Sequence, residues 1–553
     1  MYAKCGMLVE AREVLEEHDQ SVVSWNALIT GYLEHEHSEE VLRLSEKMCA
    51  KSIHLDVTTF ICSLKACASL GAKYMGYEFH MGICKRGFEG DISIGSMLVD
   101  MYAKSSSLNE AEHIFDTLQL RNTISWTALL SAYSDQGFSE EALYCFEDMM
   151  LEGVCPDVVT YICSLKECGS VGAIYKAQEL HCEISKEELE EDPYVGNSLV
   201  DMYAKCGALG NAREVFDELR LRDLSSWNVM IGAYSQYDHA YDSGDDEAAL
   251  NCFYRMQSEG FAADLITFVG ILKACGSSRR IQQGQEIHAR FVADMLMEKH
   301  ISAGNALMDM YAKCGMISEA QRIFDDLPVR DLISWNVLIG AYVQQGYGKE
   351  AIRIFEQMQW EGYTPDAITF ISALKACGIV GAVDKGQEIQ AEILKGGWIN
   401  KHALVGNALV DMFSKSGAIQ KAQEVFNELP YRNVASWNTL ISGYLQHEED
   451  LLAFQLFEKM EEFDIVPDIY VFTCVLKACG LARSLVEAKW IHCSIIRANL
   501  ECDVAVGGSL IDVYSKCGCL EEARKVFDKL PQKNEVAWGA MLSGYNQHGQ
   551  ECL

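Results

Sequence analysis

Nine short polar side chains stand one place after a tryptophan or glycine in otherwise similar surroundings: Asn26, Ser96, Thr127, Asn197, Asn228, Asn305, Asn336, Asn407 and Asn438. Each is followed, further along the chain, by a short acid or amide: Asp56, Asn122, Asp157, Asp223, Asp264, Asp331, Asp366, Asn433 and Asp468. A small amide or hydroxyl beside a carboxylate or amide is suited to hydrogen-bonding the edge of a nucleobase. Helix N-capping is the competing explanation, and it accounts for a uniform Asp or Asn. It does not account for Asn, Ser and Thr alternating at one place while the flanking helix stays constant, so base reading is the better explanation.

Other chemistries find less support. His181-Cys182-Glu183 and His447-Glu448-Glu449 have the H-x-E form of zinc deaminases, but no C-x-x-C occurs anywhere in the chain to complete a metal site. His80, His181, His288 and His492 recur, with Gln390 in the corresponding fifth place. In a stack of helices with roughly 9 Å per layer, successive members stand too far apart to share an ion. No phosphate-binding loop, nucleophile elbow or dinucleotide fingerprint is present, so no catalytic residue, metal site or cofactor is expected. Of the 22 cysteines, Cys67, Cys168, Cys275, Cys377 and Cys479 form one repeat-equivalent series; they read as small apolar packing residues in a reducing compartment.

The elements that must position the polar series are helices in an array. Tyr2, Tyr102, Tyr203, Tyr311, Phe413 and Tyr514 recur at steps of 100, 101, 108, 102 and 101 residues, and Trp25, Trp126, Trp227, Trp335, Trp437 and Trp538 at steps of 101, 101, 108, 102 and 101. Each long period divides into three helical hairpins, here called A (as in Val22 to Asp56), B (Val57 to Asp91) and C (Ile92 to Asn122). Apolar stripes at helical spacing, such as Trp25, Leu28, Ile29 and Tyr32, mark the helices. A hairpin of this size cannot bury its apolar face alone, so stacking is obligatory and predicts an all-α solenoid superhelix over residues 1–553 with a long concave surface. A-type units are expected near 22–56, 123–157, 224–264, 332–366, 434–468 and 535–553, and the 108-residue step reflects an acidic insertion at 237–246 between two helices of one unit. Both end units are expected to be partial, since Met1 and Leu553 fall inside repeats.

The strings W-N-A-L-I-x-G-Y, L-K-A-C-x-x-x-G and N-A-L-V-D-M-Y-A-K-C-G, in that order, resemble the P, L and S motifs of the pentatricopeptide repeat family, PLS subclass, over about 17 motifs and essentially the whole chain. The resemblance implies binding of single-stranded RNA, one motif per nucleotide, with the N-terminus toward the RNA 5′ end. The fifth and last residues of a motif then select the base. On that basis Asn26 with Asp56 resembles the uracil pair, Ser96 with Asn122 the adenine pair and Thr127 with Asp157 the guanine pair. Asn197 with Asp223, Asn228 with Asp264, Asn305 with Asp331, Asn336 with Asp366 and Asn438 with Asp468 again imply uracil; Asn407 with Asn433 implies a pyrimidine, cytosine first. Ile61, Ile162, Val269 and Ile371 occupy the fifth place of B units and leave gaps, whereas Thr473 with Asp503 resembles the guanine pair. The implied target is the pyrimidine-rich 5′-U-x-A-G-x-U-U-x-U-U-x-C/U-U-(G)-3′. Gly508 and Gly539 depart from the polar pattern, as do His300 and His402 at the close of two B units.

Lys104, Lys205, Lys313, Lys415 and Lys516 follow eight residues after the base-facing position, two helical turns along the same face, and suit phosphate contact. A net charge of −34 opposes nucleic-acid binding and would suit a tetratricopeptide-like protein scaffold, the second reading. Acids such as Glu140 and Glu141 can sit away from the reading face, however, which favours RNA. The resemblance further implies a mitochondrial or chloroplast protein, monomeric, acting as a guide beside a separate editing or processing enzyme, with no deaminase domain in this chain. No apolar run approaches the roughly 18 residues of a membrane span, and no targeting segment is visible.

Overall fold

The computed structural model describes residues 7–8, 10–12, 15, 21–237, 247–293, 300–463 and 465–547. All regular structure among them is helical, and the chain falls into two compact units, Met1–Ala274 and Cys275–Leu553. Most of the insertion expected at 237–246 lies outside the described residues, as do Tyr2 and the end of the unit expected at 535–553. Tyr237 closes the helix Leu224–Tyr237, and the chain resumes before Ala248–Ser258.

Most hairpins begin with a side-chain cap; His300 and His402, ahead of Ile301–Lys313 and Ala403–Lys415, make none. Asp56 accepts from the Thr59 amide at 2.9 Å and starts the helix Val57–Leu70; Gly71, at φ 61°, ends it in the left-handed conformation that glycine adopts without a Cβ penalty. The chain then reverses into Lys73–Arg86. C-type hairpins are shorter because their second helices, such as Leu108–Thr117 and Ile317–Asp326, have 10 residues.

Within each unit, first helices stack on first helices. Val57–Leu70 packs on Ile92–Lys104, which packs on Thr123–Gln136; in the second unit Ile301–Lys313, Leu332–Gln344 and Ala367–Val380 follow one another in the same way. Second helices pack mainly on their own partner and on the next first helix. The first helices therefore form the closer-packed layer, and their outer stripe is one face of the stack.

The core explains the sequence markers. Trp335 is fully buried and meets Phe324 edge-on at 4.7 Å between ring centroids, while the Arg330 guanidinium lies over Phe324 at 4.7 Å and donates Nε to its carbonyl at 3.1 Å. The same junction recurs with Trp126, Phe115 and Arg121, and with Trp437, Phe426 and Arg432. Gly304, just before Asn305, is needed for a close approach: a Cβ there would stand 2.5 Å from Leu327 Cδ2, where the short second helix ends.

The recurrent His and Tyr are partners. His80, His181, His288 and His492 meet the hydroxyls of Tyr102, Tyr203, Tyr311 and Tyr514 through Nδ1 at 2.9, 2.8, 2.8 and 2.8 Å. In the repeat that carries Gln390 the tyrosine is Phe413, so the hydrogen bond is given up on both sides. Cys67, Cys168, Cys275 and Cys479 are fully buried, and burial pushes each thiol up to about 12.

Candidate nucleic-acid interface

The two polar series converge across hairpins. Asn26 sits inside the helix Val22–Glu34, whose cap is Ser21, so it caps nothing. Its Nδ2 donates to both carboxylate oxygens of Asp56 at 2.9 Å. Asp56 is itself the N-cap of the following helix, so pairing and capping are done by one carboxylate. A third residue closes the triangle: Thr59 Oγ1 lies 2.6 Å from Asn26 Oδ1 and 2.8 Å from Asp56 Oδ1. With one hydroxyl proton, Thr59 donates to one of them at a time.

The arrangement repeats with Asn228, Asp264 and Thr267, and again with Asn336, Asp366 and Thr369. Ser96 Oγ reaches Asn122 Oδ1 at 2.9 Å. Thr127 meets its acid indirectly, through Thr160 Oγ1 at 2.7 Å, which lies 2.7 Å from Asp157. Asn305 Nδ2 donates to Asp331 at 3.2 Å, and Asn407 Nδ2 reaches Asn433 only at 3.5 Å. Asn197 bonds Asp223 and helps to hold its carboxyl low.

Asn438 and Asp468 are not joined. Asp468 caps the next helix through the Val471 amide at 2.9 Å, but Val471 occupies the place of Thr59, Thr267 and Thr369 and has no hydroxyl to offer. Asn438 Oδ1 is buried without a partner, as are Oδ1 of Asn197 and Asn305, where the Ser226 and Ser334 hydroxyls bond the acid but do not reach the amide. The bridging hydroxyls thus belong to the site, and the first series alone does not reveal them. Their signal is the spacing D-x-x-T, a capping-box pattern in which Thr follows the closing acid by three residues.

Electrostatics favour ionised acids. At Asp56, Asp264, Asp331 and Asp366 burial opposes ionisation, but amide donation from the capped helix, the hydroxyl three residues on and the paired asparagine outweigh it and hold each carboxyl below its ordinary range. The asparagine keeps a second N–H and a carbonyl lone pair beyond this network.

Apolar side chains flank the same edge. Val23 is 77% exposed and Ile333 60% exposed, each three residues before its asparagine and therefore on the same helical face. Exposed aliphatic side chains beside polar ones form a surface on which a flat heterocycle can rest while its edge is read. Gly508 and Gly539 offer no polar side chain at the corresponding place.

The five lysines of the C-type helices share this face but are engaged. Lys104, Lys205, Lys313, Lys415 and Lys516 pair with Asp100, Asp201, Asp309, Asp411 and Asp512 one turn earlier, at 2.9, 2.6, 2.7, 2.7 and 2.6 Å. Among the described residues no cluster of three or more His, Cys, Asp or Glu could hold a metal ion, and no helix is long and apolar enough to cross a membrane.

The chain matches the PPR repeat family model at residues 20–69, 121–170, 330–378 and 432–480, and the PPR repeat model at 197–224, 305–332, 407–434 and 508–535. It is similar to a mitochondrial pentatricopeptide repeat-containing protein of Arabidopsis thaliana, 31% identical over 551 residues, covering 100% of this chain and 49% of the relative. A second such protein of A. thaliana is 31% identical over 541 residues, covering 97% of this chain and 77% of the relative. A chloroplastic one is 29% identical over 552 residues, covering 99% and 57%. The chain thus spans about half the length of the first of these relatives. In fold it is similar to the crystal structure of the maize pentatricopeptide repeat protein PPR10 (TM-score 0.55, 18% identity, covering 98% of this chain and 83% of that one). It is also similar to PPR10 in complex with an 18-nt psaJ RNA element (TM-score 0.54, 16% identity, covering 100% and 82%). With its repeats matched along both units and its relatives aligned from end to end, this chain belongs to the pentatricopeptide repeat family.

Proposed function

We propose that this chain reads single-stranded RNA, one hairpin per nucleotide, with its A, B and C hairpins serving as the P, L and S motifs of the PLS subclass. The observation that carries the reading is the triangle of Asn336, Thr369 and Asp366, which orients an amide at the edge of the first-helix layer. An amide held there offers one donor and one acceptor side by side, the complement of the N3–H and carbonyl of uracil. Ser96 with Asn122 and Thr127 with Asp157 present different edges, for adenine and guanine. The target is the pyrimidine-rich 5′-U-x-A-G-x-U-U-x-U-U-x-C/U-U-(G)-3′.

Charge is compatible with this reading despite the total of −34. Glu140 and Glu141 open the second helix Ser139–Leu151, in the layer behind the reading face. Lys104, Lys205, Lys313, Lys415 and Lys516 lie along the RNA path, where a phosphate would exchange with their aspartates. Family membership and the RNA-bound maize relative support RNA over a protein ligand. The mitochondrial and chloroplastic relatives support an organellar location, and a guide role beside a separate editing or processing enzyme, as a monomer, fits a chain whose recurrent polar positions are binding groups.

The test is fluorescence anisotropy with the RNA above against a scrambled one, for the native chain and Asn336→Thr. The introduced hydroxyl would stand to Thr369 and Asp366 as Thr127 stands to Thr160 and Asp157, so preference at that base should move from uracil to guanine. Equal binding of both RNAs by both proteins would sink the assignment.

A further inference from the structure

One register position, four residues after the base-facing one, differs by hairpin type. It is small or hydroxylic in A hairpins (Thr30, Ser131, Gly232, Gly340, Ser442), acidic in C hairpins (Asp100, Asp201, Asp309, Asp411, Asp512) and basic in B hairpins (Lys65, Lys166, Lys273, Lys375, Lys477). Residues four apart share a helical face, so this position borders the base-reading edge in every unit.

The two lysine series differ in what holds them. In C hairpins the ammonium is tied to the aspartate one turn earlier. Three of the stems also rest on a glycine of the preceding B helix: a Cβ at Gly169, Gly276 or Gly480 would stand 3.2 or 3.3 Å from Cδ of Lys205, Lys313 or Lys516. In B hairpins all five lysines are exposed, and none has a carboxylate within ion-pair distance among the described residues. Lys166 donates to a neutral group, the Ser134 hydroxyl, at 3.2 Å. Their own units carry Ile61, Ile162, Val269, Ile371 and Thr473 at the reading place, four of which cannot hydrogen-bond a base.

Resting on the RNA reading above, we propose that Lys65, Lys166, Lys273, Lys375 and Lys477 are the principal phosphate-binding groups of the chain. B hairpins then hold the backbone at the nucleotides they do not read, while A and C hairpins read bases. A free ammonium releases condensed counterions when it meets a phosphate, whereas a lysine already paired with aspartate must first exchange one anion for another. Three of these lysines belong to the first unit and two to the second, so each unit carries its own grip.

The test compares the full chain with two five-fold variants, Lys→Gln at the B positions and Lys→Gln at Lys104, Lys205, Lys313, Lys415 and Lys516. Dissociation constants for the target and the scrambled RNA are measured from 50 to 300 mM KCl, with helicity and melting temperature followed alongside. For the B variant the slope of log affinity against log salt should flatten by about 3.5, on the single-strand scale of about 0.7 per phosphate contact, and both RNAs should weaken by the same factor. The C variant should flatten it by less than half as much. An unchanged slope in the B variant, or an equal or larger loss in the C variant, overturns this inference alone. Failure of the native chain to bind either RNA overturns the proposed function with it.

Discussion

The Thr369 hydroxyl lies 2.6 Å from Oδ1 of Asn336, although the two residues are 33 positions apart on different hairpins. The same hydroxyl lies 2.7 Å from Asp366, so the Asn336 amide of one hairpin is oriented by the capping residues of the next. Replacing Thr369 with Val should loosen Asn336 and lower discrimination for uracil at that base by roughly fivefold, the value of one hydrogen bond of about 1 kcal/mol. The converse change, Val471→Thr, should join Asn438 to Asp468 and sharpen uracil preference there. A panel of four RNAs differing at one base reads both effects; unchanged discrimination in both variants would remove the hydroxyl from the site.

Close packing at Gly304 predicts a stability effect separate from binding. Gly304→Ala drives a methyl group to 2.5 Å from Leu327 Cδ2 and should cost about 1–3 kcal/mol. Shortening the opposing side chain as well, in Gly304→Ala with Leu327→Ala, should cost less than the sum of the two single changes. Urea midpoints of the three variants check this, and strict additivity would show that the two side chains do not meet.

A third expectation concerns pH. Burial holds the imidazoles of His80, His288 and His492 below their ordinary value of 6.5. Glu89 and His113 bear on His80, Glu319 and Arg322 on His288, and Lys529 and Glu501 on His492. The unfolded chain therefore binds more protons just below 6.5, and stability falls as pH drops through that range toward the folded values. The depressed acids Asp56, Asp264, Asp331 and Asp366 act in the same direction, but only as pH falls below about 3.8. The urea midpoint should fall between pH 7.5 and 5.5, and the triple change to Gln, already present naturally at Gln390, should reduce that fall. An identical fall in the triple variant would place the titration elsewhere.

Periodicity made the hairpins legible because a helix repeats its buried face every 3.6 residues and a stack repeats its hairpin, so Trp335, Tyr311 and Cys377 mark the core by their recurrence alone. The two polar series were legible for the same reason: Asn, Ser and Thr alternate at one register position of a constant scaffold, as at Ser96 and Thr127, and the closing residue recurs as Asp or Asn. Even the pairing of Lys313 with Asp309 is local, at one helical turn.

Contacts between hairpins were decided only by the tertiary structure. Capping and pairing with the first series look like alternatives along the chain, yet Asp366 caps its own helix and also holds the Asn336 amide. Asn438 looks equivalent to Asn336 in sequence and differs because Val471, 33 residues on, offers no hydroxyl. Gly304 and Leu327 meet only when the short second helix folds back. A one-dimensional repeat specifies which residues recur, while hydrogen-bond geometry between separate helices depends on distances that exist only once the hairpins stack.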